Sequence, residues 1–142
     1  MNVFNIERAF SDKITRKWEK LFICVDLHDT IIQGKHSLNK DNIEYLPNAI
    51  KVLQNLSKRK DIVLILWSSS HIVTVAKALD KLEKQGVYFK YVNNNPECLS
   101  NEMCDFSKKF YINIIFDDKA GFEKDDWFLV EKELKRIGEW VE

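Results

Sequence analysis

The sequence predicts an α/β fold, a mainly parallel sheet covered by helices on both sides, and three observations carry that prediction. Along the 142 residues, strand-like segments alternate with segments of helical period, the order expected of βαβ units. The strand-like segments run apolar with little polar interruption, as strands buried on both faces do. Three of the four then stop on acids or hydroxyls: Asp26, Ser68, and the pair Asp117 and Asp118. In an open parallel sheet the carboxyl ends share one edge, and ligands bind there where strand order reverses.

Each element has its own signal. Ile6, Phe10, Ile14 and Trp18 recur every four residues with charges between, the pattern of an amphipathic helix. Leu21 to Val25 forms the first strand, followed by a mostly polar stretch from Gln33 to Glu44. Pro47 suits an early helical position, and Leu46, Ile50, Leu53 and Leu56 carry the helical period to about Lys60. Ile62 to Trp67 is an unbroken apolar run, a strand covered on both faces. Ser70 is placed to cap the next helix, whose Ile72, Val75, Ala76, Leu79 and Leu82 share a face, and Gly86 suits its stop. Val87 to Val92 is strand-like and ends in the turn residues Asn93, Asn94, Asn95 and Pro96. Tyr111 to Phe116 is the fourth strand, and Trp127, Val130, Leu134 and Ile137 mark a last amphipathic helix, a core-packing stripe. His36 and His71 read as solvated or cap residues.

The length suits one domain over residues 1–142, with residues 1–20 as an N-terminal amphipathic helix and 21–142 as the core. Composition is 45% apolar and 31% charged, which fits a soluble globular protein and argues against disorder. Lys plus Arg and Asp plus Glu each number 22, for a formal net charge of zero. That balance argues against nucleic acid and anionic lipid as partners. No apolar run approaches the about 20 residues of a membrane span, and no secretion signal opens the chain. Cys24, Cys98 and Cys104 lack metal-type spacing; an odd count without a signal fits a reducing cytoplasm.

The residues at the strand ends, taken together, resemble the haloacid dehalogenase-like (HAD) superfamily of phosphotransferases. Its first motif is an apolar strand ending in DxDx[TV], matched by VDLHDTI with Asp26 and Thr30 in register. Its second ends a strand in Ser or Thr, matched by LILWSSS at Ser68. Its third is a Lys ahead of the last motif, for which Lys108 and Lys109 stand in place. Its fourth is a strand ending in paired acids, matched by IIFDD at Asp117 and Asp118. The resemblance spans roughly residues 21–127. It implies a Rossmann-like three-layer sandwich with strand order about 3-2-1-4 and no large cap domain. A site without a cap is open, which fits a large substrate or a cap supplied by another subunit, so a homo-oligomer remains among the expectations.

The resemblance also implies a chemistry: Mg²⁺-dependent transfer or hydrolysis of a phosphomonoester through an aspartyl phosphate. Asp26 would be the nucleophile, since a carboxylate can take the phosphoryl group and split one displacement into two. Mg²⁺ would be held by Asp26, Asp117, Asp118 and the main-chain oxygen of His28, an oxygen set such a cation prefers. Ser68 and Thr30 would serve the phosphate. Lys109 is favoured over Lys108 to neutralise phosphate charge and hold Asp26 ionised, because the family often places this Lys directly before a Pro, a slot filled here by Phe110. One departure stands out. The family's phosphatases carry Asp two positions after the nucleophile as acid and base, and this chain has His28. An imidazole titrates near neutrality and can do that work; the alternative is a catalytically impaired domain that binds a phosphorylated ligand or partner. Response-regulator receivers use similar residue types, but their acid pair follows the first strand and their phosphoacceptor the third. Here the pair follows the fourth strand, and Asn93 follows the third.

Overall fold

The computed structural model describes residues 4–34 and 43–142; His36 and most of the polar stretch after the first strand lie outside them. The chain order is α1 (Ile6–Thr15), β1 (Leu21–Asp26), α2 (Ala49–Ser57), β2 (Ile62–Trp67), α3 (Ile72–Lys84), β3 (Tyr91–Val92), β4 (Ile114–Phe116) and α4 (Asp126–Arg136). The four strands form one parallel sheet in the order β3-β2-β1-β4. β1 pairs with β2 from Leu21 opposite Ile62 to Asp26 opposite Trp67, and with β4 from Ile23 opposite Ile114 to Val25 opposite Phe116. An α/β layered fold with strand order 3-2-1-4 and no large cap domain is what the sequence predicts.

Period-two alternation divides the core between the two faces of the sheet. Leu21, Ile23 and Val25 of β1, with Leu64 and Leu66 of β2, share one apolar cluster with buried residues from all four helices. The opposite residues, Phe22, Val63 and Ile65, pack instead with Tyr91, Cys98, Phe110, Tyr111 and Ile112. The third layer is therefore the helix-free segment 93–113, not the second layer of helices that the sequence pattern predicts. Cys24 is buried in the central strand, which pushes its thiol up to about 12.

Several boundaries differ from the sequence pattern for identifiable reasons. α1 ends at Thr15 and buries Ile6, Ala9 and Phe10, while Ile14 is 71% exposed and Trp18 packs against the core from beyond the helix. Pro47 lies in the turn ahead of α2, whose N-cap is Asn48. The Asn48 side chain caps nothing; it donates to Glu131 Oε1 at 2.8 Å and ties the start of α2 to α4. α3 buries Val75, Ala78 and Leu82 and leaves Ile72 and Ala76 exposed. Its N-cap is His71, not Ser70.

β3 is shorter than the apolar run because Val87 closes the preceding helix. Val87 N–H donates to the Leu82 carbonyl, Gly86 N–H donates to that of Glu83, and Gly86 has φ 78. This is the Schellman arrangement, with buried Val87 and Leu82 as its apolar pair. β4 begins only at Ile114 because the Asn113 side chain takes a ladder position, its Oδ1 accepting Phe22 N–H at 2.8 Å.

Candidate active site

Three strand ends line one cavity of ≈ 770 Å³: Asp26 from β1, Ser68 from β2, and Asp117 and Asp118 from β4. After Asp26 the chain turns sharply around buried Leu27, whose carbonyl accepts the amides of Ile31 and Ile32 at 2.9 and 3.1 Å. Asp29 has φ 62, a left-handed conformation that favours Gly and that Asp tolerates. Its side chain accepts the Gly34 amide at 3.1 Å, so it shapes the loop as well as lining the cavity.

Thr30 is fully buried behind the site rather than in the cavity. Its hydroxyl donates to Asp26 Oδ2 at 3.1 Å and accepts the Asp118 amide at 3.1 Å. Its carbonyl accepts the indole N–H of buried Trp127 at 2.7 Å. The hydroxyl expected to serve phosphate is committed to aligning one acid strand end against the other.

At the end of β2, the Asn93 side chain clamps Ser68. Its Oδ1 accepts Ser68 N–H at 2.8 Å, and its Nδ2 donates to Ser68 O at 2.7 Å. Ser68 Oγ accepts the Ser70 amide at 3.1 Å. Ser70 Oγ lies 3.0 Å from His28 Nε2, and His28 Nδ1 lies 3.2 Å from the Gly34 carbonyl. A carbonyl only accepts, so Nδ1 carries the proton in the neutral ring and Nε2 accepts from Ser70. The hydroxyl expected to cap α3 is thus spent on the imidazole.

The acids are hydrogen-bonded but lack a salt-bridge partner among the described residues. Asp26, Asp117 and Asp118 each offer an oxygen, all within 4.8 Å of one another. Burial, then the nearby Asp117 and Asp118, push the Asp26 pKa up to about 7. Burial also raises Asp117, against the pull of the Lys119 amide bonded to its Oδ1 at 2.8 Å. Around a Mg²⁺ ion with bonds near 2.1 Å, adjacent oxygens lie about 3 Å apart and opposite ones about 4.2 Å. Three carboxylates gathered this closely make a hard-oxygen set of the kind Mg²⁺ takes.

Lys108 and Lys109 are exposed, and neither lines the cavity; Lys119 does. Lys119 follows directly on the acid pair, a signal in the sequence that the search for a Lys ahead of that pair passes over. Asn93 also lines the cavity, and its place after the third strand was its only sequence signal.

Fold and site together define an α/β layered protein with an acidic cluster on the carboxyl edge of a 3-2-1-4 parallel sheet. A conserved protein from Bacteroides thetaiotaomicron, of solved structure, is similar to this chain at a TM-score of 0.63 and 24% identity, over 82% of this chain and 91% of that one. At that identity the likeness speaks for the fold alone. No known family's sequence model matches the chain, and no curated protein matches it. Among the described residues no helix is long and apolar enough to cross a membrane.

Proposed function

We propose that the protein is a HAD-like, Mg²⁺-dependent phosphohydrolase or phosphotransferase acting on a phosphomonoester. The observation that carries this reading is the gathering of three carboxylates within 4.8 Å, with no ion pair to them among the described residues and one of them held by Thr30 at the end of the central strand. A partly buried cluster of like charges is costly unless a cation joins it or a proton stays bound.

Asp26, Asp117 and Asp118, with the main-chain oxygen of His28, would hold Mg²⁺. When bound, the cation neutralises charge on the phosphate and keeps Asp26 ionised. An Asp26 carboxylate oxygen attacks phosphorus, the bond to the ester oxygen breaks, and the leaving oxygen takes a proton. Protonated His28, with Nδ1–H held by Gly34, donates that proton from Nε2. The neutral ring then accepts a proton from water as it displaces phosphate from Asp26. Ser68 is the hydroxyl donor to the phosphate, steadied by Asn93. Lys119, in the cavity wall, is assigned the charge-neutralising role expected of Lys109. Mg²⁺-dependent release of phosphate from an aryl phosphate, abolished in Asp26→Asn, supports the reading; no release from a broad panel of esters overturns it.

One observation favours a second reading, a catalytically impaired HAD-like domain that binds a phosphorylated ligand or partner. Both ring nitrogens of His28 are engaged, to Gly34 and Ser70, so the imidazole can serve as a strut between two loops. The two readings diverge in His28→Asp. A gain in turnover of about 10²-fold, the usual worth of an acid–base group, shows the native site to be impaired. A fall from substantial native activity shows His28 to be at work.

A further inference from the structure

The cavity is polarised along the strand order. Asp26, Asp117, Asp118 and Lys119 belong to β1 and β4 and their loops, whereas the lining residues from β2, α3 and the end of β3 include no Asp, Glu, Lys or Arg. In that uncharged half stands Trp67, the last residue of β2 and the register partner of Asp26, one strand spacing of about 4.8 Å away. The other residues of β2 are buried, but Trp67 is 41% exposed and lines the cavity.

The indole is braced rather than loose. Phe110 packs against it with ring centroids 5.5 Å apart and planes 57° apart, and Phe110 is itself seated in the apolar layer under Phe22 and Val63. A braced aromatic surface can receive a ligand at little further cost in side-chain freedom. Ile72 and Val73, 83% and 73% exposed, lie in the chain between the cavity residues His71 and Thr74. A cavity of ≈ 770 Å³ leaves ample room beside the acids for the organic part of an ester.

We propose that this half of the cavity binds an uncharged aromatic group of the phosphomonoester, stacked on Trp67. The inference rests on the phosphate-site reading above, and it makes Trp67 the residue that selects aromatic over aliphatic esters. Stacking adds about 3- to 10-fold in affinity beyond the apolar area buried.

The test uses two non-hydrolysable ligands of similar size, benzylphosphonate and cyclohexylmethylphosphonate, with inorganic phosphate as reference. Binding to the Mg²⁺-loaded protein is measured by titration calorimetry. The native protein is expected to prefer the benzyl ligand about 3- to 10-fold; Trp67→Phe keeps most of that preference, and Trp67→Leu, which keeps an apolar side chain without a ring, reduces it to about one. Equal binding by the native protein, or a preference that survives in Trp67→Leu, overturns the inference while leaving the phosphate site standing. Failure of both phosphonates and of inorganic phosphate to bind overturns the phosphate-site reading and this inference with it.

Discussion

Two groups of carboxylates in this molecule are treated in opposite ways. Glu97 lies beside Lys20 at 2.6 Å, Lys90 at 3.0 Å and the Tyr91 hydroxyl at 2.7 Å. Those donors, Lys20 foremost, hold its carboxyl down at about 2. Asp26, Asp117 and Asp118 face one another, and Asp26 is pushed up to about 7. A carboxylate surrounded by cations is finished as part of the structure. A carboxylate surrounded by carboxylates still has a charge to satisfy, and that deficit lets a fold recruit a cation.

The largest test of the contrast is Asp26→Asn. Phosphate release should fall by at least about 10³-fold, while the metal-free protein should gain on the order of 1 kcal/mol in a thermal melt, because a buried repulsion has been removed. Thr30→Val comes next. It removes the side-chain donor to Asp26 and leaves the Asp118 amide without its acceptor, so kcat/KM should fall about 10- to 50-fold and stability by about 1–2 kcal/mol.

Proton and metal compete for the same oxygens, which sharpens the comparison further. Because the folded pKa of Asp26 is raised, its stabilising contribution is fully present below the unfolded value of 3.8 and is lost as pH rises through about 7. The metal-free Tm should therefore drop from this site between about pH 4 and 7. Mg²⁺ should restore more of it at pH 8 than at pH 6, with an apparent affinity about tenfold tighter; melts at graded Mg²⁺ read both effects. Glu97→Gln should do the least: a loss of about 1 kcal/mol in a denaturant titration and no change in phosphate release. Its own depressed pKa has the opposite sign, a contribution present above 4.5 and lost as pH falls through about 2.

How far the sequence could be read depended on whether a residue's partners are local. β1 and β2 were legible because an unbroken apolar run admits few alternatives, and Asp26 and Ser68 at their ends marked the rim. Val87 looked like strand but is used to close α3, and Asn113 looked like strand but lends its side chain to Phe22. Both outcomes were set by neighbours that no short window contains. The same holds at the site. Thr30 stood in the expected register, yet its work is to accept an amide 88 residues along the chain. Ser70 reads as a helix cap until His28 is found beside it. The covering of the second face was only half legible: the asparagine-rich turn after Val92 signalled the end of a strand, but not that the segment beyond would form a layer without a helix.

That uneven covering separates two properties an enzyme-like site must reconcile. Asp26 ends the central strand, laddered on both sides and pinned through Thr30 to a buried indole. Phe110, which backs Trp67, belongs to a layer packed by side chains without a helix. Under the proposed function, accuracy at Asp26 and accommodation of its ligand are thus lodged in different stretches of chain. Substitutions in 93–113 can alter the second without disturbing the first, so the outer layer is where new preferences could arise at least risk to the chemistry.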